Sequence, residues 1–478
     1  MPESRTVARA DIARKARLTP VTPRGPETYD AGMRTPPGPP PARNPLQLIR
    51  YVREISKDPI AFVGRRFDAY GDLYYAPLGK TKLYVTRHPD HIAEVLLGQA
   101  TKFGKTEEGR AAERLRRFLG QGLLNSNGDL WRRQRSAINP GLSRRQIATY
   151  ADTVIDSTEA TLDGWRAGAR IDVSRAMMAL TLRAVTRALF DHDVRGETDE
   201  VAGAMTAFRR ATGATSLLPE WLPFGPSRHA ADALAAVDRI VYGLIDGRLA
   251  QDRDALAARG DLLSQLTLPM RDTPAEAMSR TLLRDELLTL FLAGHDTTSH
   301  ALTWALYLVS THPEVEASLH AEVDALGRAP TFEDLEALPL TGQILDEAMR
   351  LYPPASVVSR WAFEDAEVGG YPIPAGSEVL IWLYWTHHDA RWFPDPGAFR
   401  PERFAPGAPT LPKCAYLPFG AGARQCVGKH FALMEAKLVL ASVARRFSLR
   451  VVPDHVVARD FAVTLAPRGG MPMIATAR

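Results

Sequence analysis

A short segment near the C-terminus surrounds one of the two cysteines with small, turn-forming residues. It runs Phe419-Gly420-Ala421-Gly422-Ala423-Arg424-Gln425-Cys426-Val427-Gly428. Small side chains let a backbone pass close to a flat ligand, and glycine adopts turns that other residues avoid. Peptide N–H groups in such a turn, together with the start of a following helix, stabilise a thiolate. The segment therefore indicates a thiolate at Cys426; the alternative is a structural turn with an incidental cysteine. The other cysteine, Cys414, is interpreted as a small buried apolar residue.

A second segment places an acid beside a hydroxyl in the middle of an apolar helical pattern. It reads Ala293-Gly294-His295-Asp296-Thr297-Thr298. A carboxyl and a hydroxyl next to a groove that holds water can move protons. In most helices such residues face solvent or bond back to the helix backbone. His295 is interpreted as a surface or water-network residue.

A third segment, Glu347-Ala348-Met349-Arg350, places an acid and a base on one helical face. By itself this is a marginal surface pair. Trp131 and Arg135 form a further pair, four residues apart. Considered without the other segments, Arg135 would be interpreted as a solvated surface charge.

In order and spacing, these segments resemble the cytochrome P450 family over roughly residues 40–478. The family's haem-binding loop has Phe, Gly, Arg, Cys and Gly where this chain has Phe419, Gly420, Arg424, Cys426 and Gly428. The resemblance implies a b-type haem with Cys426 as the axial iron ligand. A thiolate on haem iron favours cleavage of the O–O bond.

The resemblance also assigns roles to the other residues. Asp296 and Thr297 would deliver protons during oxygen activation. Glu347 and Arg350 would form a buried network with Arg403, which lies in Pro401-Glu402-Arg403-Phe404. That network would hold the cysteine loop and take no part in catalysis. Four side chains would bind the haem propionates, the arginines through charge-assisted hydrogen bonds. They are Trp131, Arg135, Arg360 and Arg424.

The substrate pocket is assigned by the same resemblance. Its lining would include Leu292, Ala293, Ala355, Val357, Val358, Ala462 and Val463, with contributions from 103–124 and 205–227. These residues are mostly apolar, which predicts a lipophilic substrate such as a fatty acid, terpenoid, steroid or polyketide. Arg209 or Arg210 could hold a carboxylate, although a solvated position is the better interpretation.

The patterns around these segments predict an α+β protein that is mainly α-helical, with small sheets and no parallel βαβ alternation. The fold implied by the resemblance is the triangular, helix-rich cytochrome P450 body. Helices are predicted at about 284–309, 340–351 and 428–447, and strands at 73–76, 82–86 and 379–382.

Composition excludes several classes of protein. The chain has 478 residues, 45% of them hydrophobic, and a formal net charge of +4, which suits a large globular body. Two cysteines cannot build a disulfide framework, and no clustered basic run supports nucleic-acid binding. The abundance of Arg and Ala suggests a bacterial source.

No glycine-rich dinucleotide loop is seen in the sequence, so we expect no flavin or nicotinamide domain fused to this chain. Electrons would come from a separate ferredoxin or flavodoxin with its reductase. Lys429 with Arg132 or Arg133 would contact the acidic surface of that partner.

Residues 1–40 are predicted to form a flexible, Pro-rich leader, and residues 41–478 the haem-binding catalytic domain. No apolar run reaches the ~20 residues of a membrane span, so a cytoplasmic monomer is expected. The long chain resembles the eukaryote-like bacterial branch of the family.

The expected activity is insertion of one oxygen atom from O2 into the substrate, by hydroxylation or epoxidation. One alternative is a haem-thiolate isomerase, dehydratase or peroxygenase that needs no reductase. Such members often lose the acid–alcohol pair, which Asp296 and Thr297 preserve here. The other alternative is a non-enzymatic haem-binding or lipid-binding sensor.

Overall fold

The computed structural model describes residues 35–41, 44–77, 81–106, 110–193, 228–274, 277–461 and 463–478. Helices make up most of this part of the chain. They are α1 (Pro45–Lys57), α2 (Pro59–Tyr70), α3 (Pro89–Ala93), α4 (Arg110–Leu119), α5 (Gly128–Ile138), α6 (Arg144–Leu162), α7 (Val173–Phe190), α8 (Arg228–Leu249), α9 (Arg253–Ala258), α10 (Leu262–Thr267), α11 (Pro269–Asp272), α12 (Arg280–Ser310), α13 (Pro313–Asp324), α14 (Pro339–Leu351), α15 (Leu383–His387) and α16 (Lys429–Arg446).

The strands are short and form four small sheets. They are β1 (Leu73–Tyr75), β2 (Lys82–Thr86), β3 (Phe103–Gly104), β4 (Arg170–Asp172), β5 (Val358–Ala362), β6 (Ala366–Val368), β7 (Tyr371–Ile373), β8 (Ser377–Ile381), β9 (Phe447–Val451), β10 (Arg459–Phe461), β11 (Leu465–Pro467) and β12 (Pro472–Ala477). The largest sheet has the order β1-β2-β8-β5-β3, in which β2 and β8 are parallel. A second sheet has the order β4-β12-β9, and β6-β7 and β10-β11 are antiparallel pairs.

The long helix α12 forms the centre of the helical layer. It begins after Ser279, whose hydroxyl accepts a hydrogen bond from the Leu282 N–H, as expected of an N-cap residue. It ends at Ser310, shortly before Pro313, which cannot continue a helix. Helices α7, α14 and α16 pack around it. Most of its side chains are buried on all sides, which explains its continuous apolar character.

The β10–β11 hairpin is fastened to this helical layer. The indole N–H of Trp304 on α12 donates to the Leu465 carbonyl at 2.9 Å, and the Leu465 N–H donates to the Pro354 carbonyl at 3.0 Å. Phe461 stacks on Trp382 with ring centroids 5.4 Å apart. These contacts hold the hairpin tip against the middle of α12.

The Pro-rich segment packs on the largest sheet. Thr35 and Pro36 are buried, and the Pro37 carbonyl accepts a hydrogen bond from the Tyr75 N–H at 3.0 Å. A Cβ atom at Gly38 would lie 1.8 Å from the Tyr75 carbonyl oxygen, so this contact requires glycine. Residues 1–34 lie outside the described part, and the boundary at residue 40 stays a prediction.

The mainly helical α+β class is confirmed. The predicted helix at 284–309 extends to Arg280–Ser310, and the helix predicted at 428–447 begins one residue later, at Lys429. Among the described residues no helix has the length and apolar character to span a bilayer.

Candidate active site

The cysteine loop is closed by its own backbone. The Cys426 N–H donates to the Phe419 carbonyl at 2.9 Å, and the Gly420 N–H donates to the Leu417 carbonyl at 3.1 Å. Gly420 and Gly422 have φ angles of 68° and 71°, which favour glycine. A Cβ atom at Gly422 would lie 2.2 Å from the Leu96 carbonyl oxygen. The loop therefore needs glycine at 422 for both its conformation and its packing.

The Cys426 sulfur faces a recess in the protein. Its side chain is accessible to solvent, although protein atoms surround it on most sides. Burial raises the pKa of the Cys426 thiol, whereas the Gly428 N–H and the charges of Arg135 and Lys429 lower it. A metal cation bound to sulfur removes the thiol proton outright. The N–H group and the two cations would then stabilise the thiolate. Cys414 is buried in an apolar cluster, as predicted.

Three cations lie close together beside this loop. Burial and then the charges of Arg360 and Arg424 lower the pKa of Lys105 to about 7. Burial lowers the pKa of Arg360 to about 10, and burial and then Arg360 lower the pKa of Arg424 to about 10. Within the described residues none of the three has a side-chain hydrogen bond to a carboxylate. The Glu378 carboxyl acts on Lys105 and partly offsets the cluster. Three clustered cations beside one carboxyl still carry an excess of positive charge, which suits an anionic ligand.

Asn127 holds this cation cluster in place. The Arg424 guanidinium donates to the Ser126 carbonyl and to Asn127 Oδ1, both at 2.8 Å. The backbone N–H of Lys105 donates to the same Asn127 oxygen at 2.8 Å. The Arg424 guanidinium also lies over the Trp131 ring, 4.7 Å from its centroid, which is a cation–π distance. Trp131 and Arg424 were predicted to act together, and the structure brings them together.

Arg135 lies on the sulfur side of the loop. Its guanidinium donates to the Gln425 carbonyl at 2.8 Å, and its charge acts on the Cys426 thiol. This contact braces the residue before the cysteine. The predicted contact of Arg135 with a propionate stays a prediction.

This donor set fits a haem. A flat dianionic ligand with an iron atom needs a soft ligand on one face and cations at one edge. Cys426 supplies the thiolate, and Lys105, Arg360 and Arg424 supply the cations. The glycines of the loop leave room for a flat group to approach the backbone.

The acid–base pair on α14 is fully buried. The Arg350 guanidinium donates to both oxygens of Glu347 at 2.7 Å, which is the bidentate geometry of a strong pair. It also donates to three backbone carbonyls, those of His387, Pro396 and Ala398. Arg403 Nε lies 3.4 Å from Glu347 Oε1. The three residues predicted to form a network are therefore in contact.

The structure extends this network toward the cysteine loop through His387. Its Nε2 accepts a hydrogen bond from the Leu417 N–H at 3.0 Å. Burial, followed by the charges of His388 and Arg350, lowers the pKa of His387 to about 3. The ring is therefore neutral at physiological pH and can accept this bond. The sequence did not indicate this role, because only the fold brings residue 387 next to residue 417.

Asp296 and Thr297 point in different directions from α12. The Thr297 hydroxyl donates to the Ala293 carbonyl at 2.9 Å, and Ala293 is exposed. Asp296 is buried, and its Oδ2 accepts a hydrogen bond from the Thr464 hydroxyl at 2.7 Å. Asp296 Oδ1 has no hydrogen-bond partner among the described residues. Their role in proton delivery stays a prediction.

The prediction that His295 is a surface residue was wrong, and its alternative role in a water network stays a prediction. Its side chain is completely buried, and its ring contacts the Phe291 ring and the Phe291 carbonyl. Burial lowers the pKa of His295. Its neighbour Gly294 packs against Val185 of α7, so this side of α12 faces the interior.

The predicted pocket residues are at least partly accessible where the structure describes them. Ala293 and Val463 are exposed, while Leu292, Ala355, Val357 and Val358 are half-buried; Ala462 and the segment 205–227 with Arg209 and Arg210 lie outside the described residues. Leu124, which precedes α5, is also exposed. Accessible apolar side chains in a recess suit a lipophilic ligand.

Two acidic residues that the sequence analysis missed bind the segment before α5. Asp285 Oδ2 accepts from the Gln121 N–H at 2.8 Å, and Glu286 Oε2 accepts from the Leu123 N–H at 3.0 Å. Both side chains belong to α12. The loop before α5 is therefore fastened to the helix that carries Asp296. Adjacent acids near the start of a helical pattern usually face solvent, so the sequence offered no signal.

Comparison with known proteins agrees with this geometry. The family model described as cytochrome P450 matches residues 36–470. Cyclooctatin synthase from Streptomyces melanosporofaciens is 37% identical over 417 residues, which cover 85% of this chain and 89% of the relative. Cyclooctat-9-en-7-ol 5-monooxygenase from the same organism is 33% identical over 441 residues, which cover 91% of this chain and 94% of the relative. Putative cytochrome P450 132 of Mycobacterium bovis is 33% identical over 412 residues, which cover 82% of this chain and 87% of the relative. The chain therefore belongs to the cytochrome P450 family.

Proposed function

We propose that this haem-thiolate monooxygenase inserts one oxygen atom into a cyclic, mostly hydrocarbon substrate of the terpenoid class, by hydroxylation or epoxidation. The observation that carries the catalytic part is Cys426. Its accessible sulfur lies beside a cluster of three cations whose positive charge exceeds that of the one carboxyl, Glu378, that acts on Lys105. Burying like charges next to one another costs free energy, and no structural role of these cations accounts for that cost. A dianionic cofactor bound between them would account for it.

The cofactor is proposed to be haem b, held without a covalent link to a side chain. Cys426 would hold the iron through its thiolate, and Arg360, Arg424 and Lys105 would bind the propionates with the indole N–H of Trp131. When bound, the haem supplies the electron transfer and the activation of dioxygen. Phe419, Gly420 and Gly428 shape the loop that carries Cys426.

The protein's own groups would bind the substrate and deliver protons. Apolar side chains from α12, from the segment before β5 and from the hairpin tip would bind the substrate and exclude bulk water. Asp296 and Thr297 are proposed to move protons on the pocket side of α12. This pair argues against the alternatives that need no reductase, because those reactions have no use for two delivered protons.

The substrate class rests on two relatives. Their names describe the synthesis of cyclooctatin and the oxygenation of a cyclic alkenol, and they cover most of this chain. The half-buried residues Leu292, Val357 and Val358 and the exposed Val463 suit a hydrocarbon skeleton. Fatty acids, steroids and polyketides are the competing classes.

The redox partner is proposed to be a separate ferredoxin or flavodoxin with its own reductase. Exposed Arg132 and Arg133 and half-buried Lys429 lie on α5 and at the start of α16. Both helices adjoin the cysteine loop through Arg135 and Gly428. We also propose that the protein acts as a cytoplasmic monomer.

A spectral titration of the purified ferric protein tests this function. The panel contains saturated fatty acids, cyclic terpenes, a steroid and an azole, and Cys426→Ser is the control variant. We expect a high-spin shift with cyclic terpenes and a nitrogen-ligand shift with the azole. Turnover of the best binder with a surrogate ferredoxin pair should then yield a product with one added oxygen.

Three outcomes would contradict the proposal. Shifts with fatty acids alone would refute the substrate class. If Cys426→Ser gave the same spectra as wild type, the assignment of Cys426 as the iron ligand would be refuted. Product formation without any electron donor would favour the isomerase or dehydratase alternative.

A further inference from the structure

We propose that Thr464 is a positioning residue for the proton-delivering carboxylate of this enzyme. Its hydroxyl donates to Asp296 Oδ2, fixes the orientation of the carboxylate, and leaves Oδ1 as the oxygen that accepts and passes a proton. This inference rests on the proposed role of Asp296 in proton delivery. It adds a residue from the β10–β11 hairpin to the function of α12.

The contact is short and buried. Thr464 Oγ1 lies 2.7 Å from Asp296 Oδ2, and the two residues are 7% and 5% exposed. A hydrogen bond to an ionised group is about twice as strong as a neutral one. In a dry environment water does not compete for either group. This bond is therefore strong enough to select one orientation of the carboxylate.

Thr464 is well placed to impose that orientation because its own backbone is held. The next residue, Leu465, donates its N–H to the Pro354 carbonyl and accepts from the Trp304 indole. Trp304 lies two turns beyond Asp296 on the same helix. The hydroxyl is therefore fixed relative to α12 and does not move independently of it.

The other polar neighbours of Asp296 do not replace this bond. His300 Nδ1 is 3.7 Å from Asp296 Oδ2, which is too long for a hydrogen bond. The Thr297 hydroxyl is engaged with the Ala293 carbonyl. In the part of the chain that the structure describes, Thr464 is thus the hydrogen-bond donor to the Asp296 carboxylate.

The remaining oxygen of the carboxylate is the functional one. Asp296 Oδ1 is buried and has no hydrogen-bond partner among the described residues. A buried carboxylate oxygen retains its full capacity to accept a proton or a hydrogen bond from water. A general acid or base acts efficiently only when it is held in reach of its proton. Thr464 supplies that restraint through the opposite oxygen.

The test compares Thr464→Val, which keeps the shape but removes the donor, with Thr464→Ser, which keeps the donor. Three quantities are measured with a surrogate ferredoxin pair: product formed per electron pair, hydrogen peroxide released, and the solvent isotope effect on kcat. We expect Thr464→Val to lower product per electron pair roughly 10-fold, in line with one lost charge-assisted hydrogen bond, and to increase both peroxide release and the isotope effect. Thr464→Ser should stay within about 2-fold of wild type.

Controls separate positioning from general damage. The carbon-monoxide spectrum and the spectral Kd for substrate should be unchanged in both variants. Crystal structures should show the carboxylate rotated in Thr464→Val and retained in Thr464→Ser. If the valine variant misfolds, Thr464→Ala removes the same donor and takes its place.

Asp296→Asn separates the proposed role of Asp296 from the proposed role of Thr464. If Asp296→Asn uncouples turnover while Thr464→Val does not, the positioning role is refuted and the role of Asp296 stands. If Asp296→Asn itself is fully coupled with a wild-type isotope effect, the proposed proton delivery fails, and this inference fails with it.

Discussion

Glu286 illustrates how a single buried residue can make this enzyme sensitive to pH. The residue is completely buried on α12, one oxygen accepts from the Leu123 N–H, and the other has no partner among the described residues. Burial, with a smaller contribution from the charge of Asp285, raises the pKa of Glu286 from 4.5 to about 8, although the hydrogen bond from the Leu123 N–H acts in the opposite direction. The carboxyl is therefore protonated at neutral pH.

Replacing Glu286 with Gln should remove one component of the pH dependence of stability. Between pH 4.5 and about 8 the unfolded chain loses this proton while the folded protein keeps it. The free energy of unfolding therefore falls as pH rises through this window, by about 1.4 kcal/mol per pH unit. We expect the stability of wild type relative to Glu286→Gln to fall with that slope between pH 5.5 and 7.5, as measured by urea unfolding.

Glu402→Gln is the matched control, because Glu402 is exposed and its pKa is lowered by its hydrogen bond to Arg400, which opposes the effect of desolvation. The difference in the free energy of unfolding between Glu402→Gln and wild type should stay constant over the same pH range. A flat difference for Glu286→Gln would show that Glu286 is ionised in the folded protein.

Glu347→Ala should yield protein that lacks haem. Arg350 and Glu347 are both 0% exposed, and removing one partner leaves a buried charge unpaired, at a cost of about 3–5 kcal/mol. Arg350 also holds the His387 carbonyl, and the His387 ring holds the Leu417 N–H before the cysteine loop. The ratio of haem absorbance to protein absorbance in purified protein checks this.

Glu402→Ala is again the control, since it breaks the exposed pair with Arg400, which is worth about 0–1 kcal/mol. Its haem content should equal that of wild type. Full haem loading of Glu347→Ala would refute the structural role of the network.

At the scale of elements, the position of α12 depends on its close packing against α7. A Cβ atom at Gly294 would lie 2.8 Å from Val185 Cγ2. Val185 is buried, and a β-branched side chain on a helix has little freedom to turn away. Glycine at 294 thus permits the contact that sets the depth of α12.

Gly294→Ala should therefore destabilise the protein although alanine favours helices by about 1 kcal/mol. Overpacking a core costs about 1–3 kcal/mol, so a net loss is expected from the urea midpoint. In a Val185→Ala background the clash is absent and the same change should be neutral or stabilising. Equal effects of Gly294→Ala in both backgrounds would disprove the packing argument.

At the scale of the whole molecule, electron supply depends on the charge of one face. Arg133 is exposed on α5 and Lys429 begins α16, next to the loop of Cys426. Charges on such a face guide an oppositely charged partner over about 10 Å at 0.1 M salt.

The double variant Arg132→Glu and Arg133→Glu, two exposed positions on α5, should slow reduction by an acidic ferredoxin roughly 10-fold or more at low salt, with the substrate Kd unchanged. Stopped-flow reduction rates at two ionic strengths check this, and the difference should shrink at high salt. The control is Arg53→Glu, an exposed arginine on α1. An equal loss in the control would indicate a general charge effect instead of a docking face.

Motifs with fixed spacing allowed the site to be predicted from local sequence. Cys426 with its glycines, Trp131, and the pair Glu347 and Arg350 lie within short segments whose geometry is set by one turn or one helix. Such interactions depend on neighbouring residues, so their pattern is visible in the chain. The helical class followed from the apolar periodicity of α12, α14 and α16.

Contacts between residues far apart in the chain required the tertiary structure. Thr464 meets Asp296 across 168 positions, Arg424 meets Asn127 across 297, and His387 meets Leu417 across 30. Lys105 joins the cation cluster because β3 lies at the edge of the largest sheet. His295 looked polar in sequence and is buried, because α7 covers that side of α12. The sequence by itself determined the family, the iron ligand expected of it and the class of reaction. The packing of distant elements decided which polar groups are dry, which charges repel and what holds the Asp296 carboxylate, because burial and partner choice are properties of the folded chain alone.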